Sequence, residues 1–139
     1  MKTCALILLA FALPAHACTG LKIDDGWIRE PPPGSDVAAG FMTLRNAGPR
    51  PLTIVGMSSP DFASAMLHET RTVDGMSRML AQHALTLAPG TKVELAPGGL
   101  HLMLMQARRA VRAAQQVRII FDCTESRTTV DLAVTRDTP

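Results

Sequence analysis

From Leu21 onward the apolar residues come in short alternating runs, each stopped by a turn signal. Period-two alternation sends successive side chains to opposite faces of a strand, so each run predicts a half-buried strand. "LKIDDGWIRE" (21–30) alternates imperfectly and is cut by "PPPG" at 31–34, where proline has no N–H to offer a ladder. "AGFMTLRN" (39–46) ends at Asn46-Ala47-Gly48, "PLTIVGMS" (51–58) is β-branched, and "SAMLHETRTV" (64–73) runs up to the turn pair Asp74-Gly75. "MSRMLAQHALTL" (76–87) stops at Pro89-Gly90, and "KVEL" (92–95) stops at Pro97-Gly98-Gly99. "GGLHLMLM" (98–105), "VRIIFDC" (117–123) and "TTVDLAV" (128–134) complete the series. Short strands with turns at this spacing predict an all-β fold, an antiparallel sandwich or barrel. There is no internal repeat and no low-complexity segment. One stretch stands apart: "QARRAVRAAQQ" (106–116) is rich in helix formers, and is open between a helix and a crossing loop with a helical turn.

The first 17 residues do not fit the strand pattern. "MKTCALILLAFALPAHA" has Lys2 near its start, an apolar run from Ala5 to Leu13, and an A-x-A site at Ala15-His16-Ala17. That is the form of a cleaved secretory signal peptide, with an apolar run too short to span a bilayer comfortably. The expectation is therefore a signal peptide at 1–17 and one mature domain at 18–139, soluble, outside the cytoplasm and without a membrane span. Lys2 is the one charged residue in the leader, so its removal lowers the formal charge from +2 to +1. A near-neutral chain with scattered arginines carries no electrostatic footprint for nucleic acid, and "ARRAVR" (107–112) reads as a solvated surface.

Cys4 leaves with the leader, which keeps Cys18 and Cys123. In an oxidising compartment two cysteines can close one disulfide, although spacing alone does not say whether their geometry permits it. The rival use of Cys18 is lipid attachment, since it would be the first mature residue. "PAHA" lacks the leucine expected three residues before such a cysteine, which disfavours that use.

The chemistry of interest lies in "GGLHLMLM". On a strand, His101, Met103 and Met105 share one face while Leu100, Leu102 and Leu104 share the other. Met66, Met76 and Met79, with His68 and His83, crowd the preceding segments. A single methionine is usually a core filler, and a lone histidine is usually a satisfied structural residue. Imidazoles and thioethers together on alternating strands form the donor set that soft, monovalent copper accepts. Zinc sites use Cys, His and carboxylate and have little need of Met.

The spacing is His68, ten residues, Met79, twenty-one residues, His101, one residue, Met103. It resembles the H-x10-M-x21-H-x-M motif of the PCu(A)C family of secreted copper(I) chaperones. The flanks agree: "DGWIREPPPGSDVAAGFMTLRN" resembles the family's first strands, "LHET" the segment presenting the first ligand, and "LAPGTKVELAPGGLHLMLM" the stretch ending in the last two. The resemblance implies a cupredoxin-like β-sandwich or barrel with His68, Met79, His101 and Met103 as Cu(I) ligands. Met105, Met76 and His83 fall outside the motif and are assigned to packing or surface. Met66 is a weak auxiliary candidate, two residues before His68 and on its face. The chain ends in "VTRDTP", without the His- and Met-rich tail of some members, so no second, copper(II)-holding site is expected.

These readings imply a monomeric periplasmic carrier, not an enzyme. It would hold one Cu(I) and pass it to an acceptor, by resemblance an oxidase subunit or assembly factor serving a cytochrome c oxidase copper centre. A blue-copper electron carrier is the first rival and needs a Cys thiolate beside two His. A metal-free secreted β-sandwich that binds a protein is the second. A metallohydrolase would want a carboxylate base at an open metal position, and Glu69, next to His68, points to the opposite face of a strand.

Overall fold

The computed structural model describes residues 18–139, so the signal-peptide reading of 1–17 lies outside the described residues. Ten strands follow one another: β1 (Leu21–Arg29), β2 (Ala38–Asn46), β3 (Leu52–Ser58), β4 (Phe62–Val73), β5 (Met76–Gln82), β6 (Leu85–Leu87), β7 (Lys92–Leu95), β8 (Leu100–Ala107), β9 (Gln116–Cys123) and β10 (Ser126–Thr135). No helix occurs among the described residues. Pairing runs β5-β4-β8-β2-β1-β10-β9-β3-β6, with β7 beside β2. A bridge from Met57 to Ala65 joins β3 back to β4, so seven strands close a barrel and β5, β6 and β7 are additions to it. Closure removes the open edges from those seven strands.

The alternation is read inward as expected. Leu67, Leu102, Leu104, Ile28, Leu44, Ile119 and Phe121 are fully buried inside the barrel. The irregular period of β1 has a local cause. Its register with β2 slips between Asp24 and Trp27, and Asp25 adopts φ 52° there. This bulge moves the inward position from Ile23 to Ile28 and leaves Trp27 on the outside. Gly40 on β2 is required by close packing: a Cβ there would stand 2.9 Å from Ile28 Cδ1 and 3.3 Å from Leu102 Cβ.

Two readings are corrected, and one left open is decided. The sheet is not wholly antiparallel, because β1 and β10 pair in parallel, Trp27 opposite Ala133 and Arg29 opposite Thr135. Residues 76–87 are two strands, since β5 pairs with β4 and β6 pairs with β3, and the chain changes partner at His83-Ala84. Segment 106–116, open between helix and loop in the sequence, supplies the end of β8 and the first residue of β9, with a loop over 108–115 between them. Arg109 holds it by donating to Asp61 Oδ1 (2.6 Å), Gln115 Oε1 (3.0 Å) and the Gln116 carbonyl (2.8 Å), while Val111 is buried against the core. Tertiary bonds here outweigh the few tenths of a kcal/mol per residue that propensity offers.

Candidate metal centre

Strands β4 and β8 set out the site. Their antiparallel register places His68 opposite His101, Met66 opposite Met103 and Ser64 opposite Met105. The intervening residues Ala65, Leu67, Leu102 and Leu104 are buried inside the barrel, so the histidines and methionines share its outer face. On the other side of β4, Ala81 stands opposite His68 and Met79 opposite Thr70. Directly opposed residues share a face, and so do residues two apart. The four motif residues therefore occupy one face, spread over three adjacent strands. They are not equally close. His68 and His101 are direct neighbours, whereas Met79 is one strand outward and one step along from His68.

The two imidazoles lie edge to face, with ring centroids 6.2 Å apart. His101 is buried, and its Nδ1 lies 3.0 Å from the Gly99 carbonyl oxygen. A carbonyl only accepts, so Nδ1 carries the proton and, in the neutral ring, Nε2 keeps its lone pair free. The glycines that open "GGLHLMLM" make this possible. Gly98 has φ 81°, and the turn it permits aims the Gly99 carbonyl at both His101 and the Thr70 N–H (3.2 Å). A second partner that fixes the tautomer of a ligating histidine is a recurrent feature of metal sites.

His68 is more telling. Both of its ring nitrogens are closed off from solvent and neither has a hydrogen-bond partner. Leaving such a group unsatisfied costs about 1–3 kcal/mol, a penalty that a ligand at the nitrogen would remove. Burial first, and then the neighbouring His101, push its pKa below the ordinary imidazole value. The ring is consequently neutral at pH 7, the form that donates to a metal.

The remaining residues define what the site can hold. Met103 is half-buried, with Met66 opposite it on β4 and Ala39 opposite it on β2. Further along the same face the Trp27 and Phe41 rings pack 4.8 Å apart, and the Arg29 guanidinium lies over both. Met79 is 53% exposed. Met76 and His83 are exposed, and Met105 is half-buried. Glu69 stands opposite Leu100 on the inward-directed side and pairs with Arg71 at 2.8 Å, so it does not face the histidines. Cys18 and Cys123 form a disulfide, with Cα atoms 5.7 Å apart, which answers the question their spacing left open and leaves no cysteine thiolate among the described residues for a blue-copper centre. Among the described residues no group of three or more His, Cys, Asp or Glu could hold a metal ion. What remains is two imidazoles and several thioethers, suited to a soft cation and poorly suited to zinc, calcium or magnesium.

Sequence reasoning had Met66 only on the face of His68; its position opposite Met103 depends on the β4–β8 register. The Gly99 carbonyl is a backbone group without a side-chain signature.

A small closed β-barrel with an outward cluster of soft donors is the class of protein this architecture defines. The chain belongs to the LpqE-like family: the profile described as "Putative lipoprotein LpqE-like", a family of PCuAC type, matches residues 21–135. "Putative lipoprotein Lxx21020" of Leifsonia xyli subsp. xyli (strain CTCB07) is 32% identical over 118 residues, covering 84% of this chain and 70% of that one. Among solved structures, the copper-bound PCuAC domain from PmoF2 superposes with a TM-score of 0.71 at 26% identity, covering 88% of this chain and 97% of that domain. The solution structure of CuI-DR1885 from Deinococcus radiodurans gives 0.65 at 32% identity, covering 92% and 83%.

Proposed function

We propose that the protein is a copper(I) carrier of the bacterial envelope, with His68, Met79, His101 and Met103 as its ligands. The observation that carries this reading is the His68–His101 pair: an imidazole whose two nitrogens are closed off from solvent without partners, directly opposite one whose free nitrogen is set by the Gly99 carbonyl. Thioethers on the same face supply soft donors that favour Cu(I) over Cu(II). The structural likeness to a copper-bound PCuAC domain and to CuI-DR1885 supports the same cargo.

The chemistry is binding and transfer, not turnover. A neutral imidazole and a neutral thioether accept Cu(I) without releasing a proton, and a thioether on an exposed strand can be exchanged for an acceptor's donor. The acceptor is a copper-requiring protein, for which the resemblance points to an oxidase subunit or assembly factor. The disulfide suits an oxidising compartment, the lipoprotein names of the relatives suit export, and the periplasm meets both. Among the described residues no helix is long and apolar enough to cross a membrane.

A competition titration tests the reading. Cu(I) is partitioned between a chromophoric chelator and the protein, wild type and His68→Ala, His101→Ala, Met79→Leu and Met103→Leu. One equivalent should be held by the wild type, with the His and Met103 variants weakened most. A wild type that holds none, or variants that all match it, would reject the assignment.

A further inference from the structure

Met66 is 38% exposed, outside the barrel core, and directly opposite Met103. With His68 opposite His101 one step along, these residues mark the corners of a rectangle on two hydrogen-bonded strands. Its sides are about 5 Å across the strands and about 7 Å along them, the spacing of neighbouring positions on one sheet face. Met79 is outside this rectangle, beyond the histidine row and two strands away from Met103. It belongs to β5, which pairs with β4 alone and is exposed from Met76 to Ala81. Elements with few buried contacts open most readily, so Met79 is the donor that yields first.

We propose that Met66 is a reserve copper donor, which takes the place of Met79 and holds Cu(I) on the β4–β8 pair while an acceptor engages from the β5 side. The inference rests on the copper reading above. The step is a ligand substitution in which one neutral thioether leaves and another arrives. The copper stays monovalent, no proton moves, and the charge of the complex is unchanged. Met is unbranched, with three rotatable bonds, and can swing between the surface and the metal without a change in backbone. The device separates retention from exchange: β4 and β8, anchored in the barrel, retain the cargo, and the β5 methionine opens one coordination position.

The test compares Met66→Leu, Met79→Leu and the double variant, with Met79→Leu/Met105→Leu as control, by Cu(I) competition and by counting sulfur neighbours of copper with X-ray absorption. These swaps keep volume, and melting of the copper-free proteins checks that the fold is intact. Met66→Leu alone should leave affinity near wild type. Met79→Leu should lose no more than about tenfold, about 1.4 kcal/mol, and keep two sulfur neighbours. The Met66/Met79 double variant should lose at least about tenfold more and show one sulfur, while the control matches Met79→Leu. A double variant equal to Met79→Leu, or one sulfur already in Met79→Leu, overturns the role of Met66. Those results leave the copper site itself standing if His101→Ala and Met103→Leu still weaken binding. If these two also bind as wild type, the failure lies in the copper reading.

Discussion

Changing both Cys18 and Cys123 to Ser removes a link between residues 105 apart in sequence. In the chain-entropy account, opening a loop of about 100 residues costs up to about 4.7 kcal/mol, and native bridges commonly deliver about 2–4 kcal/mol. For a domain of this size each kcal/mol shifts the midpoint by about 4 °C, so the melting temperature should fall by about 8–16 °C. The loss should not reach the metal centre. Cys123 is on β9, which pairs with β3 and β10 and with none of the three strands that carry the motif residues. Copper(I) affinity should therefore stay within about twofold, the additivity expected of separate sites. Circular-dichroism melting with and without reductant measures the first quantity, and chelator competition the second. The non-reduced mature protein should also show no free thiol and a mass two hydrogens below the reduced form, because one sulfur cannot carry both a disulfide and a lipid. A midpoint unchanged by reduction would refute the loop argument, and a collapse in copper affinity would refute the separation of the two sites.

Met103 and Met105 offer a sharp contrast, being two apart on one face of β8 but opposite Met66 and Ser64 respectively. Met103→Leu should weaken Cu(I) binding at least about tenfold and Met105→Leu should leave it unchanged; the reverse would mean that the motif alignment is wrong. Adding Cu(II) without reductant should leave the site largely unfilled, which competition with a Cu(II) chelator checks. The Asp61 carboxyl is held below its usual range chiefly by the Arg109 guanidinium, against the opposing effect of burial. A depressed pKa adds stability that is fully present above the unfolded value, about 3.9, and is lost as pH falls through the folded one. Melting midpoints of wild type should thus drop more steeply than those of Asp61→Asn below about pH 5, and parallel curves would remove Asp61 from the account.

Strand positions and faces were legible because alternation is a local property. Leu102 and Leu104 turned inward and His101 and Met103 outward, as period two requires. Register is not local. Which residue of β4 meets His101 depends on how two strands slide to bury Leu67 and Leu102, and a slip of one residue would send His68 into the core. For that reason the motif spacing could bring His68 and His101 together only through a family resemblance, and Met66 gained its place opposite Met103 only from the fold. The parallel β1–β10 pair was hidden likewise, since it joins the first strand to the last. Segment 106–116 was open between helix and loop in the sequence, and the fold decided it as a loop over 108–115. Its composition favours helix, but Arg109 has more bonds to make with Asp61 and Gln116 across the loop than a surface helix would supply.

The central claim is that copper is held by a pair of opposed imidazoles and by thioethers, with no thiolate. X-ray absorption at the copper edge of the Cu(I)-loaded wild-type protein reads that donor set directly. Two nitrogen and two sulfur neighbours are expected, with sulfur distances characteristic of thioether. A shell of nitrogen and oxygen alone, or one containing thiolate sulfur, would contradict it.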